Sequence, residues 1–255
     1  MRTRPAETLT RLTRVFSMGA TVTYLLAGIA SARDGSTPLA WALAAGVLLH
    51  LNTHVANDVA DLPLDATDPR RAPDPLVRGR VPAELALLLA VATLPVVFAV
   101  TRDPAASVAL AGAVVLVGLY NLAGKSLRVP FAADAVQGAG FGALVVAGAY
   151  AAGGATAATW WAAGLVAAYD AMVNGVHGAV RDVANDTARG ATTTAALLGA
   201  RVDGGRVFLP RSLVAYGAAL HLATAGARRT DDRSNRPGAA IAGACWRVRQ
   251  TDAIS

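Results

Sequence analysis

Apolar residues fall along this chain in seven runs separated by short polar stretches. They cover roughly 15–32, 39–55, 85–100, 105–120, 132–152, 157–180 and 212–227. A helix that crosses a bilayer needs about 20 mainly apolar residues, so the third, fourth and seventh runs are short for a crossing. The pattern predicts an all-α, polytopic transmembrane helical bundle of about seven spans. Residues 1–227 form its membrane-embedded part, and 228–255 form a polar tail whose one apolar patch, Ala239–Trp246, is too short to span.

The basic residues support this reading. Arg2, Arg4, Arg11 and Arg14 precede the first run; Arg70, Arg71, Arg78 and Arg80 follow the second; Lys125 and Arg128 follow the fourth; and Arg181, Arg189, Arg201 and Arg206 follow the sixth. The alternate connections hold only Arg33 and Arg102. Cytoplasmic loops are enriched in Lys and Arg. The N-terminus and the long loops are therefore expected in the cytoplasm of a multi-pass cell-membrane protein. The alternation breaks after the seventh run, where Arg228, Arg229, Arg233 and Arg236 fall on the opposite side.

Composition narrows the class. The chain is 54% hydrophobic and 16% charged, where a soluble domain carries about 25% charged residues. Ala, Val, Leu and Gly supply the excess, and small residues let helices approach closely in lipid. The net charge of +6 is scattered over short loops, so it marks topology rather than nucleic-acid binding. No cleavable secretory signal stands out. Cys245 is the only cysteine, which excludes a disulfide framework and a cysteine metal site, and Lys125 is the only lysine.

Two polar clusters carry the candidate chemistry. The loop after the second run reads Asn57-Asp58-Val-Ala-Asp61-Leu-Pro-Leu-Asp65, with Asp68 beyond. On a helix, positions 58, 61 and 65 share a face, as do 57 and 61. Carboxylates crowded at a membrane boundary repel one another and need a cation. Mg²⁺ suits such oxygen donors, taking one or two carboxylates and completing its shell with water and substrate phosphate. The second cluster is Arg181-Asp182-Val-Ala-Asn185-Asp186, with two carboxylates at i and i+4. Two such sets on one membrane side can hold a diphosphate through bridging Mg²⁺. Lys125 after Tyr120 has the charge to neutralise a departing diphosphate, and it equally suits a topology anchor. Arg71, Arg78 and Arg80 have the same two readings. Asp134, Asp170, Asn174 and His177 are polar residues within or beside spans, where a functional reading is the default. His50 and His54 precede Asp58 on its own face and read best as helix-packing histidines.

Asn57-Asp58-xx-Asp61-xxx-Asp65, then Pro75-Leu76-Val77-Arg78-Gly79-Arg80-Val81, then Tyr120 and Lys125, then Asp182-xxx-Asp186-xxx-Gly190 together resemble the UbiA superfamily of membrane prenyltransferases. The likeness in order and spacing covers about residues 10–200. It implies a helical bundle with a central cavity open to the cytoplasm. It implies that Asn57, Asp61 and Asp65, with Asp182 and Asp186, hold Mg²⁺-diphosphate, that Lys125 assists ionisation, and that Tyr120 lines the cavity. The chain departs from that family at Asp74, where Arg is common, and at Gly178, where Asn or Asp is common. It also has seven spans where nine are usual, so the end reads as atypical or truncated.

The candidate set is therefore Lys125, Tyr120 and Asp182 for catalysis. Asn57, Arg71, Arg78, Lys125, Asn174 and Arg181 are candidates for substrate binding. Asn57, Asp58, Asp61, Asp65, Asp182 and Asp186 are candidates for metal. The expected function is Mg²⁺-dependent ionisation of an isoprenyl diphosphate and transfer of the prenyl group to a small aromatic or quinone-like acceptor, or a lipid one. The alternatives are a membrane terpene cyclase on the same diphosphate, a non-catalytic remnant and a carrier. Aromatic residues are only 5% of the chain. A cavity lined mainly by Ala, Val and Leu suits an extended prenyl tail and gives little help to a migrating cation, whereas aromatic faces would stabilise one.

Overall fold

The computed structural model describes residues 5–234 apart from 35, 124–128 and 204–205, and no side chains at 5 or 223–234. Among these residues the chain is mostly helical, with α1 Pro5–Leu12, α2 Met18–Ala30, α3 Leu39–Asp65, α4 Ala83–Val100 and α5 Pro104–Ala123. Then come α6 Pro130–Ala151, α7 Ala157–Met172, α8 Ala179–Ala188, the single turn α9 Thr194–Leu197, and α10 Arg211–Ser234.

Four helices, α3 to α6, are long and apolar enough to cross a membrane, and α1 with α2 makes a fifth if that pair, bent by 47°, is one span. The sixth apolar run is broken, and a bend precedes the first, in ways that composition does not show. At the α1–α2 bend Arg14 adopts a left-handed φ of 45°, a conformation uncommon outside glycine. In the sixth run α7 is only 16 residues long and passes through a π-helical turn, Val173–Gly178, directly into α8. The seventh run lies in α10.

α6 is the centre of the bundle. Of its most apolar 18-residue window 67% is buried, against 17% for α4, so α6 packs on helices where α4 turns leucines outward. α6 packs against α2, α5 and α7, while α3 packs against α4 and α2. The α2–α6 contact depends on glycine. A Cβ on Gly28 would stand 2.0 Å from the Val145 carbonyl oxygen, and one on Gly148 would stand 2.1 Å from that of Leu25. This is the close backbone approach that small residues permit between helices in lipid, where no difference in apolarity drives them together. Leu25, Leu49, Leu110, Phe141 and Val145 fill the space around it, with Tyr24 edge-on to Phe141 at a centroid distance of 5.8 Å.

The two ends of the bundle differ. At one end the connections are short, and Thr156 and Thr159 cap α7 while both hydroxyls donate to the Ser31 carbonyl at 2.8 and 3.0 Å. That satisfies an orphan carbonyl at the end of α2. Arg33 and Arg102 lie at this end. The opposite end gathers the bend at Arg14, the long α3–α4 connection, the start of α6 and the segment from α8 to α10. It also carries a two-stranded antiparallel ribbon, β1 Arg201–Asp203 with β2 Arg206–Phe208, registered Val202 to Val207. The apolar pattern predicts only helices. The ribbon forms from Arg201-Val202-Asp203 and Arg206-Val207-Phe208, and the Arg201 guanidinium stacks 4.3 Å from the Phe208 ring.

Candidate functional site

α3 does not stop where its apolar run stops. It continues for ten residues past Val55 and carries the first polar cluster on its last turns, ending two residues after Pro63. The second cluster rides on α8, which inherits its direction from α7 through the π turn. Both helix ends, with the start of α6 and the end of α5, enclose one polar cavity. Asn57, Asp61 and Asp65 of α3, Asp182 and Asp186 of α8, Tyr120, Asn174, Arg71 and Arg181 all line it. The structure thus brings together nine of the twelve candidates for catalysis, substrate binding and metal.

The two clusters are tied directly to each other. Asn185 Nδ2 donates to the Leu64 carbonyl at 3.2 Å, and Thr67 Oγ1 donates to Asn185 Oδ1 at 3.1 Å. Arg70 spans the same seam, donating to the Arg181 carbonyl and to Asp182 Oδ1, each at 3.0 Å. Its guanidinium also binds Asp68, whose carboxyl it holds below the usual carboxylate range. Within α3, Asn57 Nδ2 donates to Asp61 Oδ2 at 3.1 Å, which orients that carboxylate. Arg71 reaches Asp65 at 3.6 Å and Asp74 at 3.3 Å. Asp74, which stands where the UbiA superfamily often has Arg, thereby helps to anchor Arg71.

Two sequence candidates are not brought to the cavity. Asp58 turns away from it and forms an ion pair with Arg14, whose Nε lies 3.1 Å from Asp58 Oδ2. Position around the helix does not separate it from the others, since at about 100° per residue Asp58 lies about 20° from Asp65; the ion pair with Arg14 is what holds it aside. Arg78 donates to the Ala72 carbonyl at 2.7 Å and closes its own loop. Lys125 lies outside the described residues. His50 and His54 also stay out of the cavity. Their rings stack 4.1 Å apart, and His50 bonds to the Thr13 carbonyl at 3.0 Å.

Asp58 separates two readings of the first cluster. Asp58→Asn is expected to keep metal-dependent activity within about threefold, because its carboxylate is already matched by Arg14. Arg14→Met should instead lower the thermal midpoint, since it leaves that carboxylate uncompensated at a cost of about 1–3 kcal/mol. Loss of activity in Asp58→Asn with no loss of stability would return Asp58 to the ligand set.

Other lining residues carried no motif. Arg14 reads as a topology signal in the sequence, yet it lines the cavity, together with Asp134 and Gln137 of α6 and Thr192–Thr194. Asp134 Oδ2 accepts from Thr194 Oγ1 at 2.5 Å. The same carboxylate fills the space beside Gly175 in the π turn, where a Cβ would stand 2.1 Å from Oδ2. Asp134 is legible in the sequence as a polar residue within or beside a span, whereas nothing in the sequence singles out Gln137. The lining also corrects the expectation of an aliphatic cavity. Pro130, Ala133, Gly178 and Ala179 are its only apolar residues among those described, because Ala, Gly and Val elsewhere are taken up in helix-to-helix packing.

Six aspartates and three arginines line this cavity, a formal excess of negative charge. Among the described residues no three of His, Cys, Asp and Glu converge closely enough to hold a metal ion by themselves. Split carboxylate pairs of this kind fit a hard cation that shares its shell with a phosphate ligand, as Mg²⁺ does. They do not fit a closed protein cage.

Comparison with known proteins agrees with this fold. The model of the UbiA prenyltransferase family matches residues 20–228. The fold is similar to the apo structure of a UbiA homolog from Aeropyrum pernix K1, with a TM-score of 0.67 and 22% identity over 91% of this chain and 81% of that one. It is similar to a UbiA homolog from Archaeoglobus fulgidus bound to GPP and Mg²⁺, with a TM-score of 0.63 and 19% identity over 86% and 76% of the two chains. The Archaeoglobus fulgidus structure bound to DMAPP and Mg²⁺ superposes with a TM-score of 0.62, at 16% identity and over 86% and 74%. A comparison of the sequence with curated proteins finds no match.

Proposed function

Since this multi-pass chain belongs to the UbiA prenyltransferase family, we propose that it ionises an isoprenyl diphosphate with Mg²⁺ and transfers the prenyl group to a small aromatic or quinone-like acceptor. The observation that carries this reading is the pair of carboxylate-bearing helix ends, α3 and α8, facing one cavity in which carboxylates outnumber cations. The Archaeoglobus fulgidus homologs, similar in fold, bind GPP or DMAPP together with Mg²⁺.

In this mechanism Asp61 and Asp65, with Asn57 beside them, and Asp182 with Asp186 are the residues that would hold Mg²⁺-diphosphate. Bound there, Mg²⁺ offsets the charge that grows on the leaving group as the C–O bond breaks. Asn57 keeps Asp61 aimed, and the Asn185 and Thr67 bonds keep the two helix ends at a fixed separation. Arg71 and Arg181 line the same space and bring guanidiniums suited to phosphate oxygens. Lys125 supplies a further cation for the departing diphosphate. Tyr120 forms part of the wall near the allylic cation and excludes the water that would quench it. The basic end of the bundle faces the cytoplasm of a cell-membrane protein, as the concentration of arginines there requires. Residues 1–227 form the catalytic unit.

The test is diphosphate release by detergent-solubilised protein given geranyl diphosphate. Release should require Mg²⁺, stop on adding EDTA, and yield a prenylated aromatic product when an acceptor is present. Release that continues in EDTA would remove the metal mechanism. A cyclic hydrocarbon formed without acceptor would make the protein a cyclase.

A further inference from the structure

The mechanism above makes no use of the β1–β2 ribbon. Its register pairs Val202 with Val207 and Arg201 with Phe208. Successive residues of a strand point to opposite faces, so Val202 and Val207 share one face, and Arg201, Asp203, Arg206 and Phe208 share the other. An antiparallel sheet commonly lays its apolar face on a core, and an isolated two-stranded hairpin is marginally stable at best in water. Here residues 201–203 and 206–209 are all exposed, and Val202, Val207, Phe208 and Leu209 are each 42–51% exposed. A contiguous apolar patch beside charged residues marks an interaction surface.

Position and charge together identify the partner. α6 has 22 residues, about 33 Å at 1.5 Å per residue, so a hydrocarbon core roughly 30 Å thick ends near Pro130. At that level Phe131 packs edge-on against Tyr216 of α10, with ring centroids 5.2 Å apart. A Cβ on Gly217 would meet Val176 of the π turn at 3.7 Å, and α10 then continues along α7. Arg211 begins α10 and therefore stands outward of Tyr216 by about 7.5 Å, among the lipid headgroups, which occupy about 5–7 Å beyond the core. Phe208 and Leu209 directly precede it, and strands of this length reach only about 10 Å. The segment 201–211 holds Arg201, Arg206 and Arg211 against Asp203 alone. A surface that is anionic at headgroup depth and apolar beneath matches both faces of the ribbon.

We propose that the ribbon docks on the anionic headgroup layer of the bilayer, with the Val202–Val207 face toward the acyl chains and the three arginines on lipid phosphates. Free phosphate would suit the arginines but would leave the apolar face uncovered. Docking also bears on the cavity. β1 packs against α8, and Ala200 joins Ala179, Val183 and Leu213 in a small apolar core, so a ribbon held by lipid steadies the helix that carries Asp182 and Asp186. The proposal stands apart from the prenyl-transfer reading, and its test does not use activity.

The experiment uses the full chain with its one cysteine removed by Cys245→Ser. Val207→Cys then carries a nitrobenzoxadiazole label, and the protein is placed in nanodiscs of phosphatidylcholine with increasing phosphatidylglycerol. Phosphatidylglycerol should shift the label's emission to the blue and let lipids brominated on the upper acyl chain quench it. Salt should weaken the response, since it screens exposed charge. The same label at Asp203→Cys, on the opposite face, should stay unquenched. Arg201→Gln combined with Arg206→Gln changes only exposed side chains, and it should weaken the response about fivefold or more, the scale of losing one arginine at an anionic surface. A Val207 label that stays unquenched throughout, or is quenched equally in phosphatidylcholine alone, would overturn the proposal. So would an unchanged response in the double arginine variant, or the same emission shift produced by inorganic phosphate in phosphatidylcholine nanodiscs.

Discussion

Asp61→Ala and Asp186→Ala should each lower Mg²⁺-dependent diphosphate release by a factor of about 10²–10³ or more, the scale of losing one preorganised electrostatic contact to a developing charge. The two residues come from different helices, α3 and α8, yet line one cavity. Asp186 is 3% exposed, so water cannot readily replace it as a ligand. Stability should move the other way. Removing one member of a crowded carboxylate set relieves repulsion, so the thermal midpoint should hold or rise. The double variant should be little worse than the poorer single one, because residues that act as a unit are not additive. The decisive measurement is release rate against Mg²⁺ concentration, with the thermal midpoint recorded on the same samples. Near-normal release from either single variant would mean that the cavity does not bind diphosphate through these carboxylates.

Gly175→Ala is the second change with a large expected effect, and it acts through packing. The new Cβ would stand 2.1 Å from Asp134 Oδ2. That oxygen is held in place by the Thr194 hydroxyl at 2.5 Å, so it does not simply swing aside. Overpacking of this kind costs about 1–3 kcal/mol, which lowers the midpoint by about 2–4 °C per kcal/mol in a chain of this size. Activity should fall as well, by about tenfold. The π turn sets the direction of α8, and a displacement near 1 Å at a reacting centre is felt that strongly. Adding Asp134→Ala to Gly175→Ala opens the space again and should recover the midpoint, a coupling expected of residues in direct contact. An unchanged midpoint and rate in Gly175→Ala would show that the turn is not pinned by Asp134.

Local sequence fails at particular places for particular reasons. Asp58 and Asp61 differ by one turn and read alike in the motif, but Arg14, at the bend between α1 and α2, claims Asp58. Nothing near residue 58 announces a partner 44 positions earlier. The π turn is similar: Val173-Asn-Gly-Val-His-Gly178 sits inside an apolar run that reads as one continuous span. The widened turn follows from Asn174 Nδ2 bonding to the Asp170 carbonyl at 3.1 Å and from the Asp134 carboxylate filling the place of a side chain at Gly175. π turns of this kind commonly sit at functional sites.

By itself the sequence determined the helical membrane class, the family, and the two helix ends that carry carboxylates. Each of these depends on composition, on spacing along one helix, or on motif order, all of which are local to the chain. Only the tertiary structure decided which carboxylates meet. It paired Asp58 with Arg14, sent Arg78 to its own loop, joined the clusters through Asn185, Thr67 and Arg70, and placed Arg14, Asp134 and Gln137 in the cavity wall. Those outcomes depend on which faces of α3, α6 and α8 turn toward one another. That is set by close contacts between small residues such as Gly28 and Gly148, whose partners lie more than a hundred residues away along the chain.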